Sequence, residues 1–203
     1  MRLLRRSSGL LAIVAALSLA ISASASATTV TVAPGGGVTG TGTTHWFLHD
    51  GTAVVDCPNA GFTATLSTRT GALPVAISSD VQQIIGPCTV LAVGGNTIAC
   101  TRTGTMSVTG LTVSGVTQLR LAFISCTITV TGVCSARIDA SSTVPASFNN
   151  GTGQLTILAS GQSIRISGST CGRLLPDGSA TVSGPSGADF VYNVSPRTTI
   201  SAV

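Results

Sequence analysis

Apolar and polar residues alternate with a period of two along much of this chain. The cleanest run is Gln118 to Cys134, QLRLAFISCTITVTGVC. Ala122, Ile124, Cys126, Ile128 and Val130 share one parity, so on a strand they point to one face. Leu119, Leu121 and Phe123 occupy the other face in the first half, and Thr127, Thr129 and Thr131 in the second. A strand that is apolar on both faces at one end is expected to be central in its sheet, with Cys126 turned into the core.

Shorter alternating runs fill the rest. Thr28 to Ala33 reads as a strand closed by Pro34-Gly35-Gly36-Gly37. A Gly/Thr-rich stretch leads to His45-Trp46-Phe47-Leu48-His49, and Asp50-Gly51 predicts a tight turn into a strand from Thr52 to Cys57. Pro58 to Gly61 predicts another turn, after which Phe62, Ala64 and Leu66 alternate. Pro74 marks an edge or irregular strand, and Asp80 to Ile85 fits either a helical turn or a strand. Gly94-Gly95-Asn96 predicts a hairpin between Cys88–Val93 and Thr97–Thr103, and Met106, Val108, Leu111 and Val113 alternate around Gly110. Ser141 to Asn150 reads as loop, and Gln154–Leu158 and Ser163–Ser167 as a second hairpin. Pro176-Asp177-Gly178 is a turn, because Pro sets φ and Gly supplies φ > 0. Ala180–Ser183 and Asp189–Val194 are the last strands, followed by the tail SPRTTISAV. About a dozen strands of roughly six residues with Gly-rich turns predict an all-β fold, a disulfide-stapled antiparallel β-sandwich or closed barrel.

Composition supports this class. The chain has no Lys and no Glu, and uses Thr, Val, Ser and Gly in place of those helix formers. The start changes the charge picture. Arg2, Arg5 and Arg6 precede an apolar run from Leu10 to Ile21 and the small-x-small site Ala25-Ser26-Ala27. Residues 1–27 are therefore expected to be a secretory signal peptide and 28–203 a single all-β domain. The formal charge of +4 includes those three arginines. Seven Arg against six Asp remain after Thr28, a net +1, which gives no support for nucleic acid as a partner. No membrane span is expected once the signal is removed.

All six cysteines, Cys57, Cys88, Cys100, Cys126, Cys134 and Cys171, lie after the signal. An even number in an exported chain predicts three disulfides, and the residues alone leave about fifteen pairings open. A metal site is the competing reading. No CxxC pair exists and both histidines lie far from most cysteines, so no metal is expected, and no cofactor.

Candidate chemistry is sparse. His45, His49 and Asp50, near Trp46 and Asp56, form the one weak candidate site, for metal binding or acid/base work. Residues i and i+4 on a strand stand about 13 Å apart, which favours a half-exposed strand over a shared ion. No Gly-x-Ser-x-Gly elbow accompanies the serines, and the aspartates sit mostly beside turns, so no catalytic residues are assigned. Arg102, Arg120, Arg137 and Arg165 fall on or near predicted strands, where they either line an anion-binding groove or pair with Asp. Asn150-Gly-Thr152 and Asn193-Val-Ser195 match the glycosylation acceptor, the second followed by Pro196, and neither is counted as a site. A pore is disfavoured by the short strands and the absence of aromatic girdles.

The stretches TTVTVAPGGGVTGTG, GQLTIL, SGSTCGRLLPDGSATVSG and FVYNVSPRTTIS resemble a group of small secreted Gly/Thr/Ser-rich all-β proteins of high-GC actinobacteria. The resemblance is strongest over Gly151 to Ser201. It implies export and a β domain, and brings no catalytic residues. Cys57, Cys88, Cys126 and Cys171 match the group's positions best, which leaves Cys100 and Cys134 as an added pair. The pairing then expected is Cys57–Cys88, Cys100–Cys134 and Cys126–Cys171. The function expected is a secreted, extracellular or cell-wall-associated, non-enzymatic β module with a structural or binding role. A cell-envelope component or another protein is the partner class it would meet. The alternatives are a carrier of a small apolar ligand in a cleft or barrel and, behind it, an exported hydrolase.

Overall fold

The structure, a computed structural model, describes residues 26–48, 53–90, 97–123, 125–130, 132–139, 143–158, 162–173, 175–183 and 188–203. It is all-β. The strands are β1 (Thr28–Ala33), β2 (Gly36–Leu48), β3 (Ala53–Leu66), β4 (Arg69–Gly71), β5 (Val75–Val90), β6 (Thr97–Val108), β7 (Val116–Phe123), β8 (Cys126–Val130), β9 (Cys134–Asp139), β10 (Thr143–Asn149), β11 (Gln154–Ile157), β12 (Gln162–Ser167), β13 (Gly178–Ser183), β14 (Phe190–Ser195) and β15 (Thr199–Ala202).

Four of them, β2, β3, β5 and β6, are 13, 14, 16 and 12 residues long, about twice the expected length. They form a continuous antiparallel ribbon. One half of the ribbon is closed by β14, β11, β10 and β7 into an eight-stranded barrel, because Thr39–Gly42 of β2 pair with β14 and Gly104–Val108 of β6 pair with β7. The other half is closed by β13, β12, β9 and β8, because His45–Phe47 pair with β13 and Ile98–Ala99 with β8. The four long strands thus serve two closed circuits in succession. Register shifts at Gly42/Thr44 and Ile85/Cys88 fall where the ribbon passes from one to the other. Such bulges bend a strand and increase its twist, which lets one strand follow two curvatures. Pro87 sits inside the second shift, where the ladder needs no donor.

The barrel interior is apolar apart from Gln83 and the Tyr192 hydroxyl. Val38, Phe62, Ala64, Val81, Met106, Leu121, Phe148, Leu155, Ile157 and Tyr192 are buried there. Each large side chain of this kind contributes about 1.5–3 kcal/mol on leaving water. Phe62 and Tyr192 meet edge to face, with centroids 5.6 Å apart at 78°. The two rings fit because Gly40 has no side chain: a Cβ there would lie 2.0 Å from Phe62 Cε1. Outside, Thr39, Thr41, Thr65 and Gln82 are exposed, so the alternation is apolar in and hydroxyl or amide out.

A three-stranded sheet, β15-β1-β4, packs on the barrel where β7 begins. The tail SPRTTISAV, assigned no strand from sequence, supplies β15. One edge pairs with β1, and polar side chains hold the other. Asn150 accepts the Ile200 N–H at 2.7 Å and donates to its carbonyl at 2.9 Å. Thr112 Oγ1 accepts the Ala202 N–H at 2.7 Å, and the fully buried Thr117 donates to Ile200 O.

Several expectations are corrected. Gln118–Cys134 is not one central strand. Leu119 and Leu121 point inward on β7, and Cys126, Ile128 and Val130 point inward on β8. The inward parity flips between Phe123 and Cys126 as the chain leaves the barrel for the second circuit, and that flip made both faces look apolar. Pro58–Gly61 is no turn but lies within β3, with Gly61 on the barrel wall opposite Thr41 and Ile84. Asp80–Ile85 is strand, within β5. Ser141–Asn150 is not loop over most of its length: Ala146 and Phe148 alternate inward on β10. Gln154–Leu158 and Ser163–Ser167 form no hairpin, since β11 pairs with β10 and β14 while β12 pairs with β9 and β13. Leu111 and Val113 are exposed in the segment between β6 and β7. The turns expected at Asp50-Gly51 and Gly94-Gly95-Asn96 lie outside the described residues, although β2–β3 and β5–β6 do pair as antiparallel neighbours across them.

The three disulfides are Cys57–Cys88, Cys100–Cys126 and Cys134–Cys171. The first was expected; the other two exchange the predicted partners. Cys126 is buried as its parity required, but β8 is bonded to β6, and that brings it to Cys100. Cys134 opens β9, whose Ser135 exchanges hydrogen bonds with Thr170, and that places it beside Cys171.

Candidate functional site

The weak histidine site is only partly placed. His45 lies on β2, its backbone paired with Asp56 of β3 and Ser183 of β13. Its side chain, His49 and Asp50 lie outside the described residues. Of the strand arginines, Arg137 and Arg165 converge on Asp139, at 3.0 and 4.0 Å on an exposed face. Arg137 also donates to Ser125 Oγ at 2.6 Å. Exposed pairs of this kind contribute about 0–1 kcal/mol and carry no chemistry of their own. Arg120 is exposed on β7, and the Arg102 side chain lies outside the described residues. Among the described residues no three His, Cys, Asp or Glu side chains group as a metal site.

A concavity lies elsewhere, on a curled hairpin running from Thr65 to Asp80. β3 continues through Ser67 into β4, the chain bends at 72–74, and β5 returns. Ser67 N–H donates to Ile77 O at 3.0 Å, so the two arms stay paired, while β4 turns away to join β1. The cupped face is a groove of about 740 Å³. It is lined by hydroxyls (Thr65, Ser67, Thr70, Ser79), by Pro74 and Val75, and by one charge of each sign, Arg69 and Asp80.

Asp80 is set by a bulge. The β5–β6 register shifts between Ala76 and Ser78 and again between Ser78 and Val81. The extra residues turn Ser78 inward and bring its hydroxyl to Asp80 Oδ1 at 2.7 Å. The Thr65 N–H reaches the same oxygen at 2.9 Å. These donors, Ser78 first, lower the Asp80 pKa from its ordinary 3.8 to about 2. A carboxylate that stays ionised so far below neutral pH is a poor general base, so its role here is to hold the bulge and present charge. Across the cup, Arg69 Nε donates to Ser67 Oγ at 3.1 Å. Sequence reading missed this site because it rests on bulge geometry. The one available signal was Asp80 after two serines, at the start of a stretch that fitted either a helical turn or a strand.

The barrel interior is the other place a ligand would sit. Phe62, Val81, Gln83, Met106, Leu121, Leu155, Ile157 and Tyr192 enclose a void that admits no water-sized sphere. Inside it Gln83 Nε2 donates to Tyr192 Oη at 3.4 Å. No protein-family model, no curated protein and no solved structure matches the chain.

Proposed function

We propose that this chain is a secreted or cell-surface, non-enzymatic β module with a structural or binding role, working from its outer faces. The observation that carries this reading is the filled barrel: the space where a β-barrel would shelter a ligand is occupied by the protein's own rings and aliphatic side chains. Three disulfides are compatible with an extracellular location, and the resemblance to exported Gly/Thr/Ser-rich proteins supports it. No helix among the described residues is long and apolar enough to cross a membrane. The apolar-in, hydroxyl-out alternation of the barrel is the reverse of what a lipid-embedded barrel needs.

The Thr65–Asp80 groove is the binding surface this reading favours. Hydroxyls and one charge of each sign suit a polar cell-envelope component or an extended polypeptide. Sedimentation with isolated envelope fragments tests it. The reading expects retention of the native protein and weaker retention of Ser79→Arg, which fills the groove from an exposed position. Equal retention of the two proteins would move the binding surface elsewhere. Breakdown of the envelope material by the pure protein would overturn the non-enzymatic reading.

A further inference from the structure

The two circuits are held together by different means. The barrel has long ladders and bulky side chains: β7 pairs with β10 from Val116 to Ala122 and with β6 from Leu119 to Phe123, around Phe62, Met106, Phe148 and Tyr192. The described ladders of the second circuit are shorter. Among the described residues β6 meets β8 at Ile98 and Ala99, β13 meets β2 over Thr181–Ser183, and β9 meets β12 over Arg137–Asp139. Among its described side chains Ile128, Val130, Ala136, Ile138, Ile164, Ile166 and Ala180 are buried. All three disulfides belong to this half. Cys57–Cys88 ties β3 to β5, Cys100–Cys126 ties β6 to β8, and Cys134–Cys171 ties β9 to the segment between β12 and β13.

We propose that the second circuit is a redox-conditioned element: an external dithiol opens it while the barrel stays closed, and entry is through Cys134–Cys171. Access orders the three bonds. Cys134 is half-buried and sits beside exposed Val133, while its partner Cys171 is 8% exposed, so Cys134 is the accessible end. Cys100 and Cys126 are 4% and 7% exposed, and Cys57 and Cys88 are 0% and 1%. A thiolate must reach a sulfur to attack it, so the outermost bond reacts first. The attacking thiolate forms a mixed disulfide with one protein sulfur, and the other leaves as thiolate and takes a proton. The reagent's second thiol then displaces the protein sulfur. The dithiol ends oxidised and the chain carries two thiols. Breaking this bond leaves the Ser135–Thr170 hydrogen bonds to hold β9 to the segment that follows β12. The barrel's closing strands β7, β10, β11 and β14 contain no cysteine and lose no tie.

Graded dithiothreitol, thiol trapping with peptide mapping, and hydrogen exchange on the same samples test the proposal. Cys134 and Cys171 should be trapped at the lowest reductant. Peptides covering 134–139, 162–167 and 178–183 should then exchange at least tenfold faster, while 116–123, 143–149 and 190–195 keep their protection. Loss of protection across both sets in one step would overturn it, as would unchanged protection after all three bonds are reduced. The variant Cys134→Ser/Cys171→Ser should show the same split without reductant; global loss of protection in that variant also counts against the proposal.

Discussion

Gly40 is where the barrel's packing is most exposed to test. Its hypothetical Cβ would lie 2.0, 2.5 and 2.7 Å from Cε1, Cδ1 and Cζ of Phe62. Carbon atoms rest at about 3.5–4.0 Å, so in Gly40→Ala the ring must retreat by roughly 1.5 Å. It has nowhere to go. Phe62 is 5% exposed, its ring meets Tyr192 edge-on, and the void beside them is too small for water. Overpacking of this kind costs about 1–3 kcal/mol, and a disturbed aromatic pair adds about 0.5–1.5. Against that, replacing Gly by Ala within a strand returns about 0.5–1 kcal/mol of backbone entropy. The net expectation is a loss of about 1–3 kcal/mol, read as a lower urea midpoint at unchanged m. Gly37→Ala is the control, because nothing lies within 4 Å of its Cβ and the site is exposed. It should be neutral or slightly stabilising. The double variant Gly40→Ala/Phe62→Leu should be more stable than the sum of its single changes, by at least about 1 kcal/mol of coupling. Gly40→Ala as stable as Gly37→Ala would refute the packing account.

Other outcomes follow from the same structure. Asn150→Ala removes both side-chain bonds to Ile200 and should cost about 1–3 kcal/mol, with faster exchange confined first to 199–203. Cys57→Ala/Cys88→Ala opens a loop of 31 residues and should cost about 3.5 kcal/mol in thermal or urea unfolding. The Asp80 pKa is depressed in the folded chain, so between pH 2 and 3.8 the unfolded chain binds more protons. Its contribution is present above about pH 4 and is lost as pH falls through 2; urea midpoints at pH 5 and pH 2.5 should differ less in Asp80→Asn than in the native chain.

Period-two patterning made the all-β class and many of the strands legible, because burial on one face of a strand writes itself directly into sequence. Phe62, Ala64 and Leu66 are buried in the expected alternation. Long-range pairing was not legible. The Cys57–Cys88 bond joins neighbouring strands and was within reach, whereas Cys100–Cys126 depends on β8 choosing β6, which no local pattern encodes. The parity change after Phe123 was visible as a strand apolar on both faces, but a change of circuit and burial on both faces leave the same trace. Glycines misled in the other direction. Gly61 read as a turn residue and Gly40 and Gly42 as part of a Gly/Thr-rich stretch, yet they lie in β3 and β2, where ring and carbonyl neighbours leave no room for a side chain. Asn150 read as loop or acceptor motif, while its amide stands in for a strand neighbour of β15.

The central claim is that a barrel filled by its own side chains leaves function to the outer surface. Native mass spectrometry of the protein collected from its natural host tests it most directly. The account predicts the mass of the chain from about Thr28 with three disulfides and no bound small molecule. A stoichiometric apolar molecule that leaves only on unfolding would contradict it.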